Sequence, residues 1–133
     1  MALQPTQPGL FWYGIHTVEM LFRSLGKGCV KVSAVSTLDH DLITGEWENG
    51  VIGTIRGNRK GNSQFGALLH SVSDTQFVDV YKHPKPYYAS LLEKIMIMFI
   101  AGTPDIDEEE TLQIIRFMEA ANESRWTGAP VYL

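Results

Sequence analysis

Residues 41–57 read DLITGEWENGVIGTIRG. Two short runs containing β-branched residues flank Glu48-Asn49-Gly50. Asn-Gly is the strongest two-residue hairpin signal, because tight hairpin turns need positive φ at their centre. The stretch therefore predicts two antiparallel strands. Upstream, CVKVSAVST at 29–37 is a further β-branched run. Downstream, QFGALLHSVSDTQFVDVYK at 64–82 predicts two more strands turning at Ser73-Asp74. Strand alternation sets Val78 and Val80 on one face, with Phe77, Asp79 and Tyr81 on the other. About five mostly antiparallel strands are expected from roughly Val30 to Lys82.

Helical spacing flanks this block. After the breaker Gly9, apolar residues recur at Ile15, Val18, Leu21, Phe22 and Leu25, and Gly26 sits where a closing glycine belongs. A helix is predicted from about Ile15 to Leu25. Beyond His83-Pro84-Lys85-Pro86, the run YYASLLEKIMIMFIAG places Tyr88, Leu91, Leu92, Ile95 and Phe99 at helical spacing before Gly102. Thr103-Pro104 is a stop. A third helix opens on an acidic first turn, which suits the positive end of the helix dipole. Leu112, Ile115 and Met118 form its expected stripe, widened by Ile114 and Phe117. Strands flanked by helices without βαβ alternation predict an α+β fold: an open, mostly antiparallel sheet of about five or six strands with helices on one face. Val78 and Val80 should then lie under the helices. Phe77 and Tyr81 should stand on a bare face that invites association.

Composition narrows the function classes. The chain has 133 residues, enough for one domain, with 44% hydrophobic and 20% charged residues and a net charge of −4. The densest basic stretch, Arg56 to Lys60, is short and glycine-containing, so nucleic acid is not an expected partner. The single cysteine, Cys29, cannot form an internal disulfide and suits a reducing compartment. Met1 to Pro8 lacks the charged and apolar regions of a secretory signal, and the apolar run Ile95 to Ala101 is too short to span a bilayer. The expectation is a soluble cytoplasmic protein without membrane contact. Residues 1–9 read as a linker or a cloning-derived segment, and 10–133 as the domain.

No phosphate-cradling glycine loop, Cys-x-x-Cys, His-Glu-x-x-His or Gly-x-Ser-x-Gly is present. Four histidines remain. His16 and Glu19 lie three apart on one helix face, either a partial metal pair or a helix start with no chemistry; no third ligand is evident, so no metal is expected. Trp12 and Tyr13 are either a sugar-stacking edge or a hydrophobic staple. Asp39-His40-Asp41 reads as a solvated turn sooner than as a ligand cluster. His70 lies in a strand, where it faces a cleft or a partner, and His83 in a proline loop. Gly45-Glu46-Trp47 and Arg56 to Lys60 read as charged, protective edges sooner than as the lining of a pocket.

Read together, the segments resemble a known family. GLFWYGIHTVEMLFRSLGKGCVKVSA, with Gly14, His16, Glu19, Leu25 and Gly26, resembles the opening of the C-terminal domain in the glucose–fructose oxidoreductase and inositol dehydrogenase (Gfo/Idh/MocA) family. The hairpin GEWENGVIGTIRG, with its Gly53-Thr54 pair, and the helix PYYASLLEKIMIMFIAGTPDID are similar to that family's following elements. So is the tail, with Glu119-Ala120-Ala121, Ser124 and Gly128.

The resemblance implies the substrate-side, oligomerisation domain of an oxidoreductase acting on a sugar or polyol. NAD or NADP would be held by an N-terminal Rossmann domain that this chain lacks, so no cofactor is expected on the chain itself. His16 matches the family's catalytic histidine, an acid/base for the substrate hydroxyl, and imidazole as a class titrates near neutral pH. Trp12 and Tyr13 are the expected substrate-binding residues. Trp12 stands where many members carry an aspartate. The resemblance also implies a homodimer or larger assembly through the sheet face. The alternative is a non-catalytic ligand-binding or oligomerisation module of the same fold.

Overall fold

A computed structural model describes residues 10–133, so the reading of residues 1–9 lies outside the described residues. The order is α1 (Gly14–Leu25), β1 (Cys29–Ser36), β2 (His40–Trp47), β3 (Ile52–Asn58), β4 (Gly66–His70), β5 (Thr75–Asp79), a 3-10 turn (Val80–Lys82), α2 (Tyr87–Ala101), α3 (Glu108–Thr127) and β6 (Val131–Tyr132). The fold is α+β. Its six strands divide into a four-stranded antiparallel sheet, ordered β3-β2-β1-β6, and a separate β4–β5 hairpin. Among the described residues no helix is long and apolar enough to cross a membrane.

The hairpin that opened the sequence reading joins β2 to β3. Gly50 takes φ 82°, and its N–H donates to the Trp47 carbonyl at 2.8 Å. The register runs from His40 opposite Asn58 to Glu46 opposite Ile52. Alternation then puts Asp41, Ile43, Gly45 and Trp47 on the inner face of β2, and Gly53 and Ile55 on that of β3. Both α1 and α3 pack on the sheet and on each other.

The core is built around three rings. Phe22 of α1, Trp47 of β2 and Phe117 of α3 have centroids 5.6, 5.8 and 6.4 Å apart. Trp47 Nε1 donates to the Gly26 carbonyl at 2.9 Å, tying the end of α1 to the sheet. Two glycines let the helices approach. A Cβ at Gly45 would lie 2.7 Å from the Phe117 ring and 2.8 Å from that of Trp47; one at Gly53 would lie 2.7 Å from Leu21 and 2.8 Å from Leu25. At the same end, Lys27 Nζ lies 2.7 Å from both Asp107 and Glu109, bridging α1 to the start of α3. Asp107 raises the Lys27 pKa most, with Glu109 next, and Lys27 in turn holds Asp107 below the usual carboxylate range.

Several expectations change. The hairpin β4–β5 does not join the main sheet. Val78 is exposed and Val80 leaves the strand for the 3-10 turn, so neither lies in the core under the helices. Phe77 and Tyr81 are exposed. α3 buries Ile114, Phe117, Met118, Ala121 and Ser124, and turns Leu112 and Ile115 outward. The small residues Ala121 and Ser124 let that face approach β1, where Ala34 N–H donates to Ser124 Oγ at 2.9 Å. α2 forms where expected and buries no residue. Asp39-His40 form the expected turn, with His40 exposed, but Asp41 is buried, its carboxylate accepting from Ser36 at 2.5 Å, Arg59 at 2.7 Å and Arg125 at 3.4 Å. Gly45 and Trp47 belong to the core instead of a polar edge.

Two outcomes are expected. Gly45→Ala should lower stability by about 1–3 kcal/mol in urea unfolding, because the new methyl overlaps two packed rings. Cys29, buried beside Gly45, has its thiol pushed up to about 11, chiefly by desolvation. The folded chain at pH 8 should therefore resist iodoacetamide while the urea-unfolded chain is alkylated. Because the folded value is raised, the stability linked to this thiol is fully present below its ordinary 9.0 and is lost as pH climbs through about 11.

Candidate functional site

α1 begins without a side-chain cap: Tyr13 is the N-cap residue and makes no capping hydrogen bond. The helix start is fixed by packing. Leu10 is buried, and a Cβ at Gly14 would meet its Cδ2 at 2.8 Å. Leu10 thus fills the role of an apolar anchor ahead of the helix, which leaves Trp12 and Tyr13 exposed at the surface. The staple reading of those two residues does not hold.

His16 is the third residue of α1. Its side chain is 59% exposed, and Nδ1 lies 3.1 Å from Glu19 Oε2. With Nδ1 donating to that carboxylate, Nε2 is the acceptor nitrogen, although the tautomer is inferred from the hydrogen bond. Three rings stand around this imidazole in a chain. Tyr13 lies 6.4 Å from His16, Trp12 packs edge-on against Tyr13 at 6.3 Å, and Phe65 meets His16 edge-on at 6.2 Å. Phe65 comes from the segment leading into β4, and no local sequence signal marks it.

Phe65 also walls two concavities. A hollow of about 260 Å³ lies between the loop before β4 and the hairpin, lined by Asn62, Phe65, Phe77 and Asp79 among others. A trough of about 870 Å³ runs along the free edge of β3, between α1 and β4. Thr17, the residue after His16, lines the trough; its Oγ1 is buried with no hydrogen-bond partner. His16 itself lines neither concavity and stands at the surface beside them.

Of the other histidines, His70 lines the same trough, with Nδ1 3.1 Å from Thr75 Oγ1, whereas His40 opens β2 at the surface and His83 Nδ1 lies 3.0 Å from the Lys85 carbonyl. Among the described residues no three His, Cys, Asp or Glu side chains gather as a metal site. Nor does a dinucleotide cradle exist there: no described strand leads through a glycine-rich turn into a helix.

No protein-family model matches the sequence, and no curated protein matches it significantly. Solved structures do. The chain superposes on GenD2 from gentamicin A biosynthesis, solved in complex with NAD, with a TM-score of 0.78 and 17% identity, covering 94% of this chain and 48% of that one. A probable dehydrogenase from Thermotoga maritima gives 0.71 and 15%, over 98% of this chain and 53% of the other. A protein assigned as a myo-inositol dehydrogenase, from Sinorhizobium meliloti 1021, gives 0.66 and 14%, over 97% and 54%. The chain therefore has the fold of about half of each of these structures.

Proposed function

We propose that residues 10–133 form the C-terminal, substrate-side domain of a Gfo/Idh/MocA-type NAD(P)-dependent oxidoreductase that acts on a sugar or polyol. The observation that carries the reading is the surface imidazole of His16 at the start of α1. It is oriented by Glu19 and flanked by Tyr13 and Phe65, in a fold that matches about half the length of the NAD-bound GenD2 chain and of a probable dehydrogenase chain.

The chemistry assigned to this chain is a proton transfer. His16 Nε2 takes the proton of a substrate hydroxyl and becomes imidazolium, with Nδ1–H held against Glu19. The faces of Tyr13 and Trp12 offer apolar surface to the C–H side of a sugar ring. On this reading NAD or NADP is held by a Rossmann domain outside the described residues, and hydride transfer is not assigned to any residue here. Trp12 in place of an aspartate leaves Glu19 as the only carboxylate hydrogen-bonded to His16 among the described residues. Association into a homodimer or larger assembly through the exposed Phe77 of the hairpin and Tyr81 of the 3-10 turn after it is part of the same proposal.

Two measurements test it. Calorimetric titration of this chain with NADH or NADPH should give no micromolar binding; micromolar affinity would overturn the division of labour between two domains. In a protein that joins this domain to its nucleotide-binding partner, His16→Ala should cut turnover by roughly 10²- to 10⁴-fold. An unchanged rate would remove His16 from the catalytic machinery.

A further inference from the structure

The trough along β3 carries one sign of charge. Three elements wall it, and each contributes one basic side chain: Arg23 from α1, Arg56 from β3 and His70 from β4. Among the described residues no aspartate or glutamate lines it. The chain as a whole has 11 lysines and arginines against 15 acidic residues, so a cleft with basic side chains alone runs against the background. The smaller hollow beside it differs, since Asp79 lines that one.

Both arginines are also uncommitted. Of the 11 lysines and arginines, all but Arg23, Arg56 and Lys60 are paired with a carboxylate. Among the described residues neither Arg23 nor Arg56 has a side-chain hydrogen bond. Two of the three free cations therefore line the same concavity. Their local settings explain each of them singly. Arg23 lies in the last turn of α1, where a cation suits the helix dipole, and Arg56 charges a free strand edge. Neither setting explains why both meet His70 around a space without an acid. His70 turns Nδ1 to Thr75, and Nε2 is its remaining ring nitrogen.

The space suits a small molecule. About 870 Å³ is within the range of ligand clefts, and a cleft with one sign of charge concentrates ligands of the other. Phe65 is the shared wall: it lines the trough and meets His16 edge-on at 6.2 Å. A ligand seated on Phe65 is next to the imidazole and to the trough at once.

We propose that the trough is the subsite for an acid group on the substrate. The sugar or polyol carries a carboxylate or a phosphate, and Arg23 and Arg56 hold that group through charge-assisted hydrogen bonds, for which the guanidinium fork is shaped. The inference rests on the reading of His16 given above and adds the substrate's charge to it.

The test is calorimetry on the 133-residue chain with D-glucuronate, D-glucose 6-phosphate, D-glucose and inorganic phosphate as probes. One of the acid-bearing sugars should bind at least ~10-fold more tightly than both D-glucose and inorganic phosphate, and which one it is separates carboxylate from phosphate. Arg23→Gln with Arg56→Gln should weaken that binding by roughly 10- to 100-fold. Both side chains are exposed and unpaired, so far-UV circular dichroism should not change. Lys60→Gln removes a charge that lies outside the trough and should leave the affinity as it was. Three results overturn the subsite: no preference for an acid-bearing sugar over D-glucose, inorganic phosphate binding as tightly as the sugar phosphate, or an affinity that the arginine pair does not control more strongly than Lys60 does. The turnover of His16→Ala is a separate measurement. Loss of the subsite leaves the role of His16 standing, and an unchanged turnover beside arginine-dependent binding removes the catalytic reading alone.

Discussion

Everything in the body of this protein hangs on the meeting of Phe22, Trp47 and Phe117 above Gly45. The three rings come from α1, β2 and α3, so their contact defines the layer spacing of the fold. Aromatic pairs contribute through buried area and through the tilted and edge-on geometries that ring quadrupoles favour. Their packing requires the absence of a side chain at position 45, where even one carbon would overlap two rings. Trp47 then adds direction: its N–H fixes the end of α1. With that end held by Trp47 and by the Lys27 bridge, the start of α1 is aimed outward, and His16 comes to the surface instead of the core.

What was legible in the sequence follows from how local each signal is. The turn at Asn49-Gly50 and the α1 stripe of Val18 and Phe22 are decided within a few residues, and both stand as read. The α3 stripe was harder. Leu112, Ile114, Ile115, Phe117 and Met118 are all apolar, and two overlapping stripes fit them; the choice is made by Ala121 and Ser124, whose small size admits β1. Asp41 was misread because its partners, Arg59 and Arg125, lie 18 and 84 residues away. Of the candidate site, the His16–Glu19 pair was visible as a three-residue spacing, and Tyr13 as its neighbour. Phe65 was not, since a contact across that separation leaves no periodic trace.

α2 illustrates the limit from the other side. Its period, its closing Gly102 and its stop at Thr103-Pro104 were correct, and it is a helix. What periodicity could not say is which surface receives it. Helical spacing reports that a segment can bury a face, and the face is buried only where another surface is supplied. Within the described residues no element supplies one, so the apolar side chains stay in solvent.

The short strand β6 has a consequence in time. It pairs with β1, opposite Lys31 and Val32, across some hundred residues of chain. During synthesis, β1, β2 and β3 leave the ribosome well before β6 and before the α3 residues that cover their inner face. Until those arrive, β1 presents an unpaired edge and its Val32 lacks the α3 residues that cover it. Such an edge is a template for wrong pairing. The nascent chain must therefore pass through an interval in which a chaperone that shields apolar strands has something to hold, and that interval closes only when Val131 finds Val32.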